Sequence, residues 1–222
     1  EDVFVTTKLW NRDHGFEPAR RAFERSRREL GLDYVDLYLI HWPVAGRRVE
    51  SWHALETILE EGKARAIGVS NYTIAHLEEL LDHAKVVPAV NQVEFSPFLY
   101  TADLLAFCRN HRIQLEAYSP LTRGMRLGDP RVAEIARRNG KTPAQILLRW
   151  CLEKEVVTIP KSVRPERIRE SVDLRVPQEV PDRLDEQRPV EPQAHAGGNV
   201  EPDPERFPVV DRQDLALEQL PQ

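Results

Sequence analysis

The chain has 222 residues, enough for one large domain with a sizeable core. Its formal net charge of -5 and ordinary hydrophobic content argue against nucleic acid or another polyanion as partner. No apolar run reaches membrane-spanning length and no signal peptide is visible, so no membrane is involved and the cytoplasm is the expected compartment.

The first residue is Glu1, and an apolar run follows almost at once, so the chain reads as a fragment or trimmed piece. Strand-like runs are expected at residues 3–6, 35–40, 66–69, 89–93, 114–118 and 156–159. Helical patterns lie between them, the first over 17–30, where Ala19, Phe23 and Leu30 stand among many arginines. Others fall at 52–61, 74–82, 102–110, 130–138 and 143–153. Thr73 and Thr142 suit helix N-caps and Pro143 suits a first helical position. Cys108 and Cys151, the only cysteines, sit in helical patterns and read as reduced, packed thiols.

This alternation means βα units and a parallel sheet. Strand starts recur about every thirty residues, the rhythm of an eight-unit barrel, yet only six runs are present. The two missing units are expected on the N-terminal side. Beyond Val176 prolines crowd in, with Gly197-Gly198 and many acids. Only residues 180–187 suit a short helix there. The expected division is a partial barrel over residues 1–172 and a proline-rich, weakly ordered tail over 173–222.

Two apolar runs end abruptly in ionisable residues, Lys8 and His41. A buried charge is costly unless paired, and strand C-termini are where a barrel gathers its reactive groups. Alternation puts Phe4, Thr6 and Lys8 on one face, and Leu37, Leu39 and His41 on another. If both faces point inward, Lys8 and His41 converge at the barrel mouth. Taken singly, Lys8 also reads as a snorkelling surface residue and His41 as a satisfied core histidine. Trp42-Pro43 after His41 supplies a rigid aromatic wall.

Gly68-Val69-Ser70-Asn71 ends a strand in donors and acceptors suited to a planar carboxamide, although Ser and Asn are also ordinary loop residues. In Asn91-Gln92-Val93-Glu94, Gln92 and Glu94 share a face and need partners if that face is inward. Strand-terminal Tyr118 offers a flat ring for stacking. Ile159-Pro160-Lys161-Ser162-Val163-Arg164 leads into a short helix near Pro165. Lys161, Ser162, Arg164 and Arg167 with the helix start form an anion cup that fits a phosphate monoester; the bland alternative is a solvated basic turn.

The sequence resembles the aldo-keto reductase family, bacterial diketogluconate-reductase-like members in particular. The resemblance is carried by Thr6-Thr7-Lys8-Leu9-Trp10, Leu39-Ile40-His41-Trp42-Pro43, Gly68-Val69-Ser70-Asn71, Asn91-Gln92-Val93-Glu94, Tyr118-Ser119-Pro120-Leu121 and Ile159-Pro160-Lys161-Ser162, in family order. It implies an α/β fold, a (β/α)8 TIM barrel present as about six of eight βα units, that binds NADP(H) without a glycine-rich dinucleotide fold. By that resemblance Lys8 is the catalytic lysine and His41 orients the carbonyl. Ser70, Asn71 and Gln92 contact the nicotinamide carboxamide, and Tyr118 stacks on that ring. Ser119 and Leu121 belong to the pyrophosphate loop. Lys161, Ser162 and Arg167 hold the 2′-phosphate, and Glu170 holds the adenine, with Ser171 where the family has Asn. Trp10 and Trp42 wall the substrate pocket. No metal is implied.

The implied activity is NADPH-dependent reduction of aldehyde or ketone carbonyls by a monomer, on a small-molecule substrate left undefined. The family's acid, a tyrosine, and the aspartate that pairs with the lysine belong to units upstream of Glu1. The chain by itself is therefore expected to fold weakly and to lack activity. The alternatives are a nucleotide-binding barrel without catalysis and an inactive truncated remnant.

Overall fold

The computed structural model describes residues 3–174 of the 222-residue chain. The expected short helix at 180–187, and nearly all of the expected tail, lie outside the described residues. Six strands form one parallel sheet: β1 (Thr6–Leu9), β2 (Val35–Ile40), β3 (Ala64–Ser70), β4 (Val90–Glu94), β5 (Gln114–Tyr118) and β6 (Val157–Thr158). Their order in the sheet is their order in the chain. A doubly wound sheet reverses at a switch point, whereas unbroken sequential winding is that of a (β/α) barrel. The described chain is thus six βα units of a (β/α)8 barrel.

Helices α1 (Phe16–Leu30), α2 (Arg48–Glu60), α3 (Ile74–Leu81) and α4 (Ala102–Asn110) connect the first five strands. Two helices, α5 (Pro130–Asn139) and α6 (Pro143–Glu153), separate β5 from β6, and α7 (Pro165–Glu170) follows β6. Both expected N-caps form capping boxes. Thr73 Oγ1 accepts from His76 N, and Thr142 Oγ1 accepts from Gln145 N while Gln145 Oε1 accepts from Thr142 N. Each box satisfies donors that a helix start otherwise leaves open. The α1 helix ends at Gly31, whose φ of 69° is the left-handed conformation that glycine adopts without penalty.

The expected first strand is displaced. Val3 and Phe4 are 75% and 69% exposed, and the ladder begins instead at Thr6. Pairing dictates this: Asp36 N and Leu37 N both donate to Val5 O, so β2 has nothing upstream of Val5 to hold. The sixth strand is likewise shorter than expected, with only Val157 and Thr158 in register against β5.

The main core lies between the sheet and its helices. Tyr38, Ile40, Ile67, Val69, Leu115 and Ala117 from the strands meet Phe23, Trp52, Leu55, Leu77, Leu105, Ile146 and Trp150 from the helices, all of them buried. The β2 strand is buried at every position, as a central parallel strand covered on both faces must be. Its other face carries Leu37 and Leu39, buried outside that cluster. Gly68 is the size match there: an added Cβ would stand 2.6 Å from Val90 O and 2.8 Å from Leu39 Cδ2. Only a missing side chain lets Leu39 and β4 close over β3.

Candidate functional site

The inward positions of β3, β4 and β5 stand in line. Ser70 is the register partner of Gln92, and Gln92 of Glu116, so three polar side chains project from adjacent strands. They are 1%, 3% and 8% exposed respectively, and burial obliges each to find a partner. Ser70 Oγ donates to Gln92 O at 2.7 Å, and Gln92 Nε2 donates to Glu116 Oε1 at 2.6 Å. Asn71, one residue past β3, holds a left-handed φ of 63°, a conformation open to few residues besides glycine and asparagine. That bend lets Nδ2 donate to His41 O at 3.0 Å and to Ser70 Oγ at 3.1 Å. Its Oδ1 accepts from Tyr118 OH at 3.0 Å. One amide therefore ties together the ends of β2, β3 and β5.

Lys8 and His41 belong to the same mouth. The Lys8 ammonium is shifted below its ordinary pKa by burial, an effect opposed by the Glu116 carboxylate. Burial, and then the Lys8 charge, push His41 down to about 4. A histidine so depressed is a neutral imidazole at pH 7. Its ring lies 5.0 Å from that of Trp10 and 6.3 Å from that of Trp42, both partly exposed. Tyr118 is raised by burial and by the Glu94 carboxylate, so its hydroxyl stays protonated.

A second cluster is built on the loops and helix ends after β5 and β6. Leu121, Leu127, Thr142, Gln145, Lys161, Ser162, Arg167 and Glu170 line a cavity of ≈ 270 Å³. Gln145 Nε2 donates to Glu170 O at 3.2 Å and to Asp173 O at 2.8 Å, and Thr142 Oγ1 donates to the Glu170 carboxylate. These bonds seat α7 on the start of α6. Ser162 Oγ accepts from Arg164 N at 3.1 Å. Arg164 itself is exposed and is not part of the cavity wall.

The structure thus sorts the expected residues into two groups. Lys8, Trp10, His41, Trp42, Ser70, Asn71, Gln92 and Tyr118 gather at the strand ends. Leu121, Lys161, Ser162, Arg167 and Glu170 gather in the cleft. Ser119, with φ of 50°, is the bend between β5 and the loop that reaches the cleft, and Thr122 N returns to its carbonyl at 2.8 Å. Sequence reading missed Glu116, although its alternation with Tyr118 puts it on the inward face. It also missed Gln145, which looked like one more position on an amphipathic helix.

A family model described as "Aldo/keto reductase family" matches residues 1–187. The uncharacterized oxidoreductase YtbE of Bacillus subtilis (strain 168) is 47% identical over 210 residues, covering 93% of this chain and 72% of that protein. Glyoxal reductase of the same organism is 48% identical over 188 residues, covering 83% of this chain and 68% of that one. A solved variant of Gox0644 in complex with NADPH superposes with a TM-score of 0.75 at 43% identity, covering 78% of this chain and 65% of that one. The chain spans about two thirds of the length of these relatives, from 65% to 72%.

Proposed function

The chain belongs to the aldo/keto reductase family, and from that premise we propose that it serves NADPH-dependent reduction of aldehyde or ketone carbonyls to alcohols. One observation carries the reading: a partly desolvated lysine and a neutral histidine share a strand-end mouth with a set of amide and hydroxyl groups. The residues fit the cofactor at both ends. Buried Ser70 and Gln92 with half-buried Asn71 offer polar atoms to a carboxamide, and the cleft offers two cations and a hydroxyl for a phosphate monoester. When bound, NADPH supplies the hydride. His41, neutral at pH 7, orients the carbonyl oxygen by a hydrogen bond, and the Lys8 ammonium stabilises negative charge on that oxygen until a proton from water completes the alcohol. Trp10 and Trp42 exclude water beside His41. The Glyoxal reductase relative favours a small dicarbonyl as substrate.

A second reading, a nucleotide-holding barrel without turnover in this chain, draws on the tyrosines. Each of the five has a partner of its own. Tyr34 lies under Arg65, Tyr38 against Phe23, Tyr72 against His76, and Tyr100 against Phe95 and Trp150, while Tyr118 bonds Asn71. A proton donor in the style of the family is not among them, and loss of general acid catalysis costs about 10² to 10⁴ in rate.

Titration with NADPH, followed by the fluorescence of Trp10 and Trp42, together with NADPH-dependent reduction of glyoxal, tests both. Saturable NADPH binding with slow, glyoxal-dependent oxidation supports the first reading. Binding with no oxidation supports the second, and absence of binding sinks both.

A further inference from the structure

Glu116 borders the carboxamide pocket and has no part in the reading above, on which this inference rests. A carboxylate can only accept hydrogen bonds. Gln92, facing it at 2.6 Å, must present its nitrogen, because the flipped amide would press two acceptors together. Gln92 Oε1 is thereby turned the other way. It has no hydrogen-bond partner among the described residues, yet it is not one of their solvent-excluded orphan atoms, so it keeps contact with solvent on the side away from Glu116.

Asn71 has the same polarity. Its Nδ2 hydrogens go to His41 O and Ser70 Oγ, and the Ser70 hydroxyl hydrogen goes to Gln92 O. Asn71 Oδ1 takes one hydrogen from Tyr118 and keeps a second lone pair. What this rim leaves unspent is two amide oxygens and the second Nε2 hydrogen of Gln92.

We infer that Glu116 is a positioning residue that locks the Gln92 amide with its oxygen outward, so that the pocket admits a primary carboxamide and rejects a carboxylate in the same place. An –NH2 group brings the hydrogens that two outward oxygens require. A carboxylate would face the two outward amide oxygens with the Glu116 charge behind them, and leave both oxygens unpaired.

NADP+ and nicotinic acid adenine dinucleotide phosphate differ only in this group, so the ratio of their dissociation constants isolates it. Both are titrated by tryptophan fluorescence against the unmodified chain, Glu116→Gln, Gln92→Leu and the double variant. The unmodified chain should favour NADP+ by roughly tenfold or more. Glu116→Gln keeps the volume and a hydrogen bond but lets Gln92 flip, and should bring the ratio to within about threefold of unity. In the Gln92→Leu background the same change should leave the ratio where it was, because the effect travels through Gln92.

An unchanged ratio in Glu116→Gln, including an equal loss of affinity for both nucleotides, overturns the inference. So does a ratio that still responds to Glu116→Gln when Gln92 is absent. Should Glu116→Gln fail to fold, Glu116→Met fills the same volume with no charge and is held to the same outcomes. Failure of the unmodified chain to bind NADP+ would overturn the functional reading as well, whereas binding with an insensitive ratio overturns only the role of Glu116.

Discussion

The strand-end mouth and the α6–α7 cleft differ in the physics they offer a ligand. At the mouth, polar side chains on or just past the strands, Ser70, Gln92 and Glu116 buried and Asn71 and Tyr118 half-buried, spend hydrogen bonds on one another and form one network. In the cleft, Lys161 and Arg167 stand exposed on a loop and a six-residue helix, and their contribution is charge. Burial makes hydrogen bonds selective, because a mismatched partner leaves a desolvated group unpaired. Exposed cations discriminate less and attract more, and salt weakens them. The mouth should therefore determine what kind of group binds, and the cleft how tightly.

Removing the cations is the strongest way to break this contrast. The double change Lys161→Ala with Arg167→Ala deletes two charge-assisted contacts to a 2′-phosphate, about 3 kcal/mol together after allowance for their exposure, or ~10²-fold in affinity. Parallel NADPH and NADH titrations should show the loss for NADPH alone, and the preference between the two should disappear. A preference that survives would place the phosphate elsewhere.

Filling the space beneath the mouth comes next. Gly68→Ala puts a methyl 2.6 Å from Val90 O, and the neighbour is backbone, which has little room to yield. Overpacking of this kind costs about 2 kcal/mol, read as a lower urea midpoint at unchanged m-value. Because β3 and β4 carry Ser70 and Gln92, nucleotide affinity should fall along with stability. A mouth that binds unchanged in this variant is not as rigid as its buried network indicates.

Trimming one bond within the network is gentler. Tyr118→Phe removes the donor to Asn71 Oδ1 and keeps the ring, at a cost of about 1 kcal/mol. If the mouth acts on the nicotinamide end alone, NADPH should weaken about fivefold while the preference over NADH stays as it was. A change in that preference would mean that the two regions are coupled.

Most of this architecture was legible in the residues, and the misses have physical causes. The α4 (Ala102–Asn110) helix begins and ends where its apolar spacing places it, and α6 (Pro143–Glu153) where its spacing and the Thr142 cap place it. The first strand was misplaced because Val3, Phe4 and Val5 have strong β propensity, whereas a strand exists only where a neighbour pairs, and β2 begins pairing at Val5 O. The separation into mouth and cleft follows from sequence order, since Tyr118 ends β5 and Lys161 lies in the loop after the next strand, β6. Glu116 was hidden for a different reason. A glutamate inside Gln114-Leu115-Glu116-Ala117-Tyr118 looks like the solvent side of an alternating strand unless Tyr118 is taken as inward, and the register against Gln92 supplies its partner. Gln145 was hidden likewise, because its bonds to Glu170 and Asp173 span twenty-five residues or more.

The finest test of the mouth is its response to acid. His41 stands at about 4, below the ordinary histidine value near 6.5, first because it is buried and then because Lys8 is close. A histidine with a depressed folded-state pKa binds its proton more readily in the unfolded chain. Its contribution to stability is therefore complete above pH 6.5 and is lost as pH falls from there toward 4. His14, held to about 4 by burial and then by Arg47, acts in the same direction and must be separated from it. Lys8→Met removes the cation beside His41 and leaves His14 untouched. Proton NMR should then show one histidine moving up from about 4 and the other staying in place, with a slightly shallower loss of urea stability between pH 6.5 and 4.5. If both histidines shift, or neither does, the ammonium and the imidazole do not share one mouth.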